Sequence, residues 1–124
     1  MRFVDMHCHL DLMTNGVEIA RAAHAEGIGF FCTTVTPVDA IDARERFSTC
    51  ANVRVGTGLH PWWIADGTCG DADVGLLEEL AAAGVPGVKF HPPFQHFSLD
   101  DPKYRPVYRK IGDLGLITVI HPGR

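Results

Sequence analysis

Polar and apolar side chains alternate through RFVDMHCHL at the start of the chain, which is the period-two pattern of a β-strand. The period then changes. NGVEIARAAHAEG predicts a helix, with Asn15 as N-cap, Ile19, Ala22 and Ala23 on its apolar face and Glu26-Gly27 as its stop. IGFFCTTVTP is aromatic and β-branched and ends at a proline, which predicts a second strand. Residues 38–51, VDAIDARERFSTCA, follow as a helix, and NVRVGTGLHP as a third strand. DADVGLLEELAAAG predicts a helix opened by Asp71 or Asp73 and closed by Gly84. VPGVKFHPP is a fourth strand. DPKYRPVYRKIGDLG is a helix with Pro102 in its first turn and Gly115 at its end, and LITVIHP is a fifth strand.

Strands that alternate with helices pair in parallel through right-handed crossovers. Two architectures satisfy that order: an open doubly wound sheet and a (β/α)8 barrel. Both place their chemistry at the C-terminal ends of the strands. Five of the seven histidines fall at such ends. They are His7 and His9 on strand one, His60 on strand three, His91 on strand four beside Lys89, and His121 on strand five. His24 and His96 fall on a helix and in a loop.

Length raises a difficulty for the barrel. A barrel of this kind takes about 250 residues, and the chain has 124. An open half-barrel exposes two sheet edges and an apolar face. The expectation is therefore one partial α/β domain over residues 1–124. It would be the N-terminal part of a larger enzyme or a truncated product, strands one to five, the N-terminal half, of a TIM barrel.

Charge and cysteines narrow the setting. Fifteen carboxylates against eleven Lys and Arg give a net charge of −4, which argues against a basic nucleic-acid or membrane footprint. Cys8, Cys32, Cys50 and Cys69 are scattered without a close pair, so a disulfide framework is not expected and a reducing cytoplasm is. No apolar run approaches a membrane span.

The first strand carries the sharpest chemical signal. Strict alternation puts Val4, Met6, Cys8 and Leu10 on one face, under the helices, and Asp5, His7, His9 and Asp11 on the other. His7 and His9 would then stand roughly 6–7 Å apart at Cα, given the rise of a strand. Two imidazoles at that separation can converge on one divalent ion such as zinc. His121, at the end of an apolar strand, is a candidate third ligand. Lys89 could orient a substrate anion, pair with Asp11, or react with carbon dioxide to form a carbamate that bridges two metals. His91 shares its face. His60, in a glycine-containing segment, is a candidate substrate ligand. Trp62 and Trp63 could stack on a base or ring. Thr33, Thr34 and Thr36 are expected to bond to backbone, and Cys8 and Cys32 to sit in the core.

These residues resemble a known group. VDMHCHLD, GLHPWW some fifty residues later, and VIHPGR at strand five look like the TatD family of metal-dependent hydrolases, in the amidohydrolase-like TIM-barrel superfamily. The likeness covers residues 1 to about 63, and 116–121 more weakly. It implies a (β/α)8 barrel, a divalent metal (Mg, Mn or Zn) and deoxyribonuclease action on DNA phosphodiesters. It also implies His7, His9 and His121 as metal ligands, His60 on the substrate side and an acidic catalytic base beyond Arg124. Strand four departs from it. TatD proteins carry a metal-binding glutamate in a GEIGLD-like stretch there, whereas this chain has GVKFHPPFQHFSLDD. Residues 86–102 resemble the amidohydrolase-2 type instead, which implies hydrolysis or non-oxidative decarboxylation of a small carboxylate. A third reading is a metal-poor half-barrel that persists as an oligomer without catalysis. The expected partners are thus DNA or a small-molecule substrate, and no membrane.

Overall fold

The computed structural model describes residues 1–58, 71–90, 98–102 and 105–120. Strands β1 (Phe3–Cys8), β2 (Ile28–Thr33), β3 (Val53–Gly56), β4 (Gly87–Phe90) and β5 (Ile117–Ile120) alternate with helices α1 (Gly16–Ala25), α2 (Pro37–Arg46), α3 (Asp71–Ala82) and α4 (Arg105–Asp113). A short 3-10 turn, Leu10–Leu12, follows β1. All strand pairing among the described residues is parallel. β1-β2-β3 form one sheet and β4-β5 another. A parallel bridge between Thr57 and Val88 joins the two. It is closed by Thr57 N–H to the Gly87 carbonyl at 3.0 Å and Lys89 N–H to the Thr57 carbonyl at 3.2 Å. The strands therefore lie side by side in sequence order, the arrangement that β-α-β crossovers generate. The fold is mixed α/β with parallel strands, as the alternating pattern predicts.

Local chemistry explains most boundaries. The helices α1, α3 and α4 stop at Gly27, Gly84 and Gly115, which take φ of 75°, 87° and 65°. Glycine adopts that left-handed conformation without a Cβ penalty. α2 starts one residue before the expected position and ends five before it. Thr36 and Asp39 form a capping box with Pro37 at the first helical position, and the helix closes at Phe47. α4 starts at Arg105, so Pro102 precedes it instead of lying in its first turn.

The helix-covered face of the sheet holds the core. Cys32, Val53 and Val55 meet Ala20, Ala40, Ala43, Phe47 and Leu80. Asn52, 2 % exposed, ties α1 to β2 by donating to the carbonyls of Ala20 (2.8 Å) and Ile28 (2.9 Å). On the opposite face, near the starts of the strands, Met1, Val4, Met6, Phe31, Arg54 and Ile117 line a cavity of about 290 Å³.

β4 and β5 approach closely at Gly87. A Cβ there would overlap the Ile117 carbonyl oxygen, which is backbone and cannot rotate away. Gly87→Ala is expected to cost about 1–3 kcal/mol, the range for overpacking a filled site, read as a lowered urea midpoint. Gly75→Ala, in the open on α3, should not lower it.

Candidate active site at the ends of strands one and four

The alternation expected for β1 is broken by a bulge. Val4 pairs with Gly29 and Asp5 with Phe30, but Cys8 pairs with Cys32. Three steps along β1 are matched by two along β2, so β1 carries one extra residue. The Asp5 carboxylate accepts the His7 N–H at 2.9 Å and supports the bend. Strict alternation is thereby corrected at three side chains. Val4 and Met6 belong to the open face and are half exposed. Asp5 shares Phe30's side instead of standing beside the histidines. Only beyond the bulge do Cys8 and Leu10 turn to the core.

His7 and His9 meet Lys89 from β4. Lys89 Nζ contacts Nε2 of His7, and lies 3.1 Å from Nε2 of His9. The two rings stand edge to face, 5.4 Å apart at their centroids. Residues 80 and 82 positions apart thus converge at the C-terminal ends of two strands. Burial holds the Lys89 amine below the usual lysine value. His9 is also held below the ordinary imidazole value, first by burial and then by the neighbouring Lys89 charge; Asp11 works the other way. His9 Nδ1 is buried and without a hydrogen-bond partner among the described residues.

The surrounding residues fix this end of β1. Thr33 Oγ1 donates to the Cys8 carbonyl at 3.2 Å. The Arg46 guanidinium, from the last turn of α2, donates to the carbonyls of Asp11 (2.9 Å), Met13 and Thr14 (3.0 Å), and so clamps the segment that follows the histidines. Nothing in the sequence marks Arg46, because its partners are backbone atoms more than thirty residues away. Asp11 stands in the 3-10 turn, not on the strand. Its Oδ1 accepts the Cys32 thiol at 3.4 Å, so pairing with Lys89 is not its arrangement here. Cys32 itself is pushed well above the ordinary thiol value by its hydrogen bond to Cys8 and by burial, while Cys8 is held below it by the same contact. The threonine hydroxyls bond as expected: Thr34 Oγ1 donates to the Gly56 carbonyl at 3.0 Å and Thr36 caps α2. His60, Trp62, Trp63, His91 and His121 lie outside the described residues.

The donor set suits a borderline divalent ion in part. Two imidazole nitrogens point at one locus, and the Lys89 amine sits there. Among the described residues no group of three His, Cys, Asp or Glu side chains could hold a metal ion by itself, so further ligands would have to come from elsewhere.

The lowered His9 value has a stability consequence. Below the ordinary value of 6.5 the unfolded chain binds a proton that folded His9 resists. Stability therefore falls as pH drops through that range toward the folded value. In chelator-treated protein, His9→Gln should lose less stability than wild type between neutral pH and the acid side of 6.5, as measured by urea midpoints at each pH.

A parallel α/β sheet with imidazoles and an amine gathered at its strand ends defines a class of enzyme scaffold. Residues 4–123 match the amidohydrolase family. The chain belongs to that family, whose members generally use divalent metals for hydrolase-type chemistry. No curated protein matches the chain significantly. The family match takes in the strand-four segment that departs from the TatD pattern, and it lends no support to the TatD assignment or to nuclease action. Among the described residues no helix is long and apolar enough to cross a membrane.

Proposed function

We propose that the chain is the strand-one to strand-five part of a metal-dependent amidohydrolase barrel that acts on a small carboxylate, by hydrolysis or non-oxidative decarboxylation. The observation that carries this is the meeting of Lys89 with Nε2 of both His7 and His9. It joins the HxH of strand one to the VKFHPPFQ segment of strand four, which is the part of the sequence that favours the amidohydrolase-2 reading over a nuclease. The sequential parallel order of the five strands fits the first five staves of an eight-stranded barrel. Free Cys8, Cys32 and Cys50 suit a reducing compartment.

His7 and His9 would hold the metal through Nε2, with His121 as a further nitrogen ligand. A bound divalent ion lowers the pKa of water and polarises a carbonyl or carboxylate oxygen. The chain's own residues do the rest. Thr33 and Arg46 keep the end of β1 in place. Burial raises the share of Lys89 present as free amine. As the amine, Lys89 can attack carbon dioxide, forming an N–C bond and releasing a proton, and the resulting carbamate would offer two oxygens to metal. As the ammonium, it would bind the substrate carboxylate. His60 would contact the substrate from the end of strand three, His91 from strand four beside Lys89, and Trp62 would cover it.

The test is a substrate panel. Protein loaded with zinc, manganese or magnesium is assayed on aromatic acids, on lactones and on single-stranded DNA. Turnover of an acid or lactone that stops on chelation is the expected result. Nucleotide release from DNA with no turnover of the others would overturn the reading in favour of the nuclease.

A further inference from the structure

We infer that Cys8 and Cys32 form an oxidation site, at which hydrogen peroxide links β1 to β2 by a disulfide. The β1 bulge creates the pair. With the register of Asp5 and Phe30 continued, Cys8 would face Thr33 and Cys32 would face His7; the extra residue sets the two cysteines opposite each other instead. Neighbouring strands lie about 4.7–4.9 Å apart, which falls inside the Cα separation of about 4.4–6.8 Å that a disulfide spans. Both side chains turn to the helix-covered face, where Cys32 is part of the core and Cys8 packs against it.

Each thiol also has a polar partner that orients it. Cys32 Sγ donates to Asp11 Oδ1 at 3.4 Å, and Cys8 Sγ donates to the Phe31 carbonyl at 3.7 Å. Access is unequal. Cys8 is only half-buried, whereas Cys32 and Cys50 are buried. The order of events follows. The Cys8 sulfur attacks peroxide: an S–O bond forms, the O–O bond breaks, the sulfur gives up two electrons and one water leaves. The Cys32 sulfur then attacks the Cys8 sulfur: the S–S bond forms, the S–O bond breaks, and hydroxide departs with the Cys32 proton as a second water. Two thiols and one peroxide become one disulfide and two waters. A resolving thiol this close intercepts the sulfenic acid before it is oxidised further.

The consequence falls on the neighbouring site. Cys8 lies between His7 and His9 in sequence, so the bond would pin β1 to β2 at their level and remove the thiol that donates to Asp11. The chemistry itself does not depend on whether the histidines hold a metal.

The experiment is peptide mapping of the full, reduced, chelator-treated protein after stoichiometric hydrogen peroxide and alkylation of remaining thiols. Cleavage after Arg2, Arg21 and Arg44 puts the two cysteines on separate tryptic peptides, 3–21 and 22–44. The expected result is these two joined, two hydrogens lighter than their sum, and separated by dithiothreitol. Recovery of Cys8 as a thiol or sulfinic acid would overturn the proposal, as would its linkage to Cys50, Cys69 or a second chain. In Cys32→Ser, dimedone should label Cys8 as the trapped sulfenic acid; an unlabelled, folded variant would also refute it. In Cys50→Ser the crosslink should still form. The wild-type map stands without either variant.

Discussion

Lys89→Ala should lower kcat/KM by on the order of 10²–10⁴-fold, the range for loss of a group acting directly on the reaction, and leave the metal-free fold no less stable than before. The two halves of that expectation come from the same contacts. Lys89 reaches Nε2 of both histidines from a half-buried position, and burial already opposes its charge. Among the described residues no acid is paired with the Lys89 ammonium, because Asp11 is turned to Cys32. Such a lysine adds little to the fold, and its removal relieves a desolvation cost. A purely structural lysine would behave in the opposite way, with stability lost and turnover kept. Metal analysis of the same variant separates the two chemical roles. A fall in bound metal assigns Lys89 to a carbamate bridge. Unchanged metal content with lost turnover assigns it to the substrate's carboxylate. Retained turnover would remove Lys89 from the site.

His7→Ala and His9→Ala are each expected to weaken zinc binding by more than about 100-fold, beyond the 10–100-fold that loss of an outer-shell partner costs. The double variant should be scarcely worse than either single one, since two ligands to one ion act as a unit and their losses do not add. His24→Ala, on the exposed side of α1, is the control and should bind zinc as wild type does. Equilibrium dialysis against a competing chelator gives all four affinities. The single variants should also differ in stability, because His9 carries a buried Nδ1 with no partner among the described residues. Singles that bind zinc like the control would rule out the HxH pair as a metal site.

The element order was legible in the sequence because period, caps and glycine stops agreed with one another. Gly27, Gly84 and Gly115 each close a helix at the place the pattern indicates. The face of β1 was not legible. Alternation is a local rule, and the bulge that breaks it appears only when β1 is laid against β2. Asp5, the one residue that could have hinted at it, looked like a fourth site group when its carboxylate in fact serves the neighbouring His7 N–H. The two histidines both reach Lys89, although His7 lies within the bulge and only His9 beyond it. Lys89 was recognisable as a strand-end lysine, but its two partners were not, because they are set by the bridge between Thr57 and Val88 that joins the sheets. Arg46 and the opposed thiols left no trace in spacing, as both depend on backbone positions far away in the chain.

The separation of Lys89 from His7 and His9, 82 and 80 positions, also has a meaning in time. At roughly 5–20 residues per second on the ribosome, the lysine is made about 4–16 s after the histidines. During that interval β1, β2 and β3 can pair in order, each strand arriving beside the one before it. The histidine pair meanwhile waits without the amine that it meets in the folded chain. The nascent chain would thus present the two imidazoles before the amine that meets them in the folded chain.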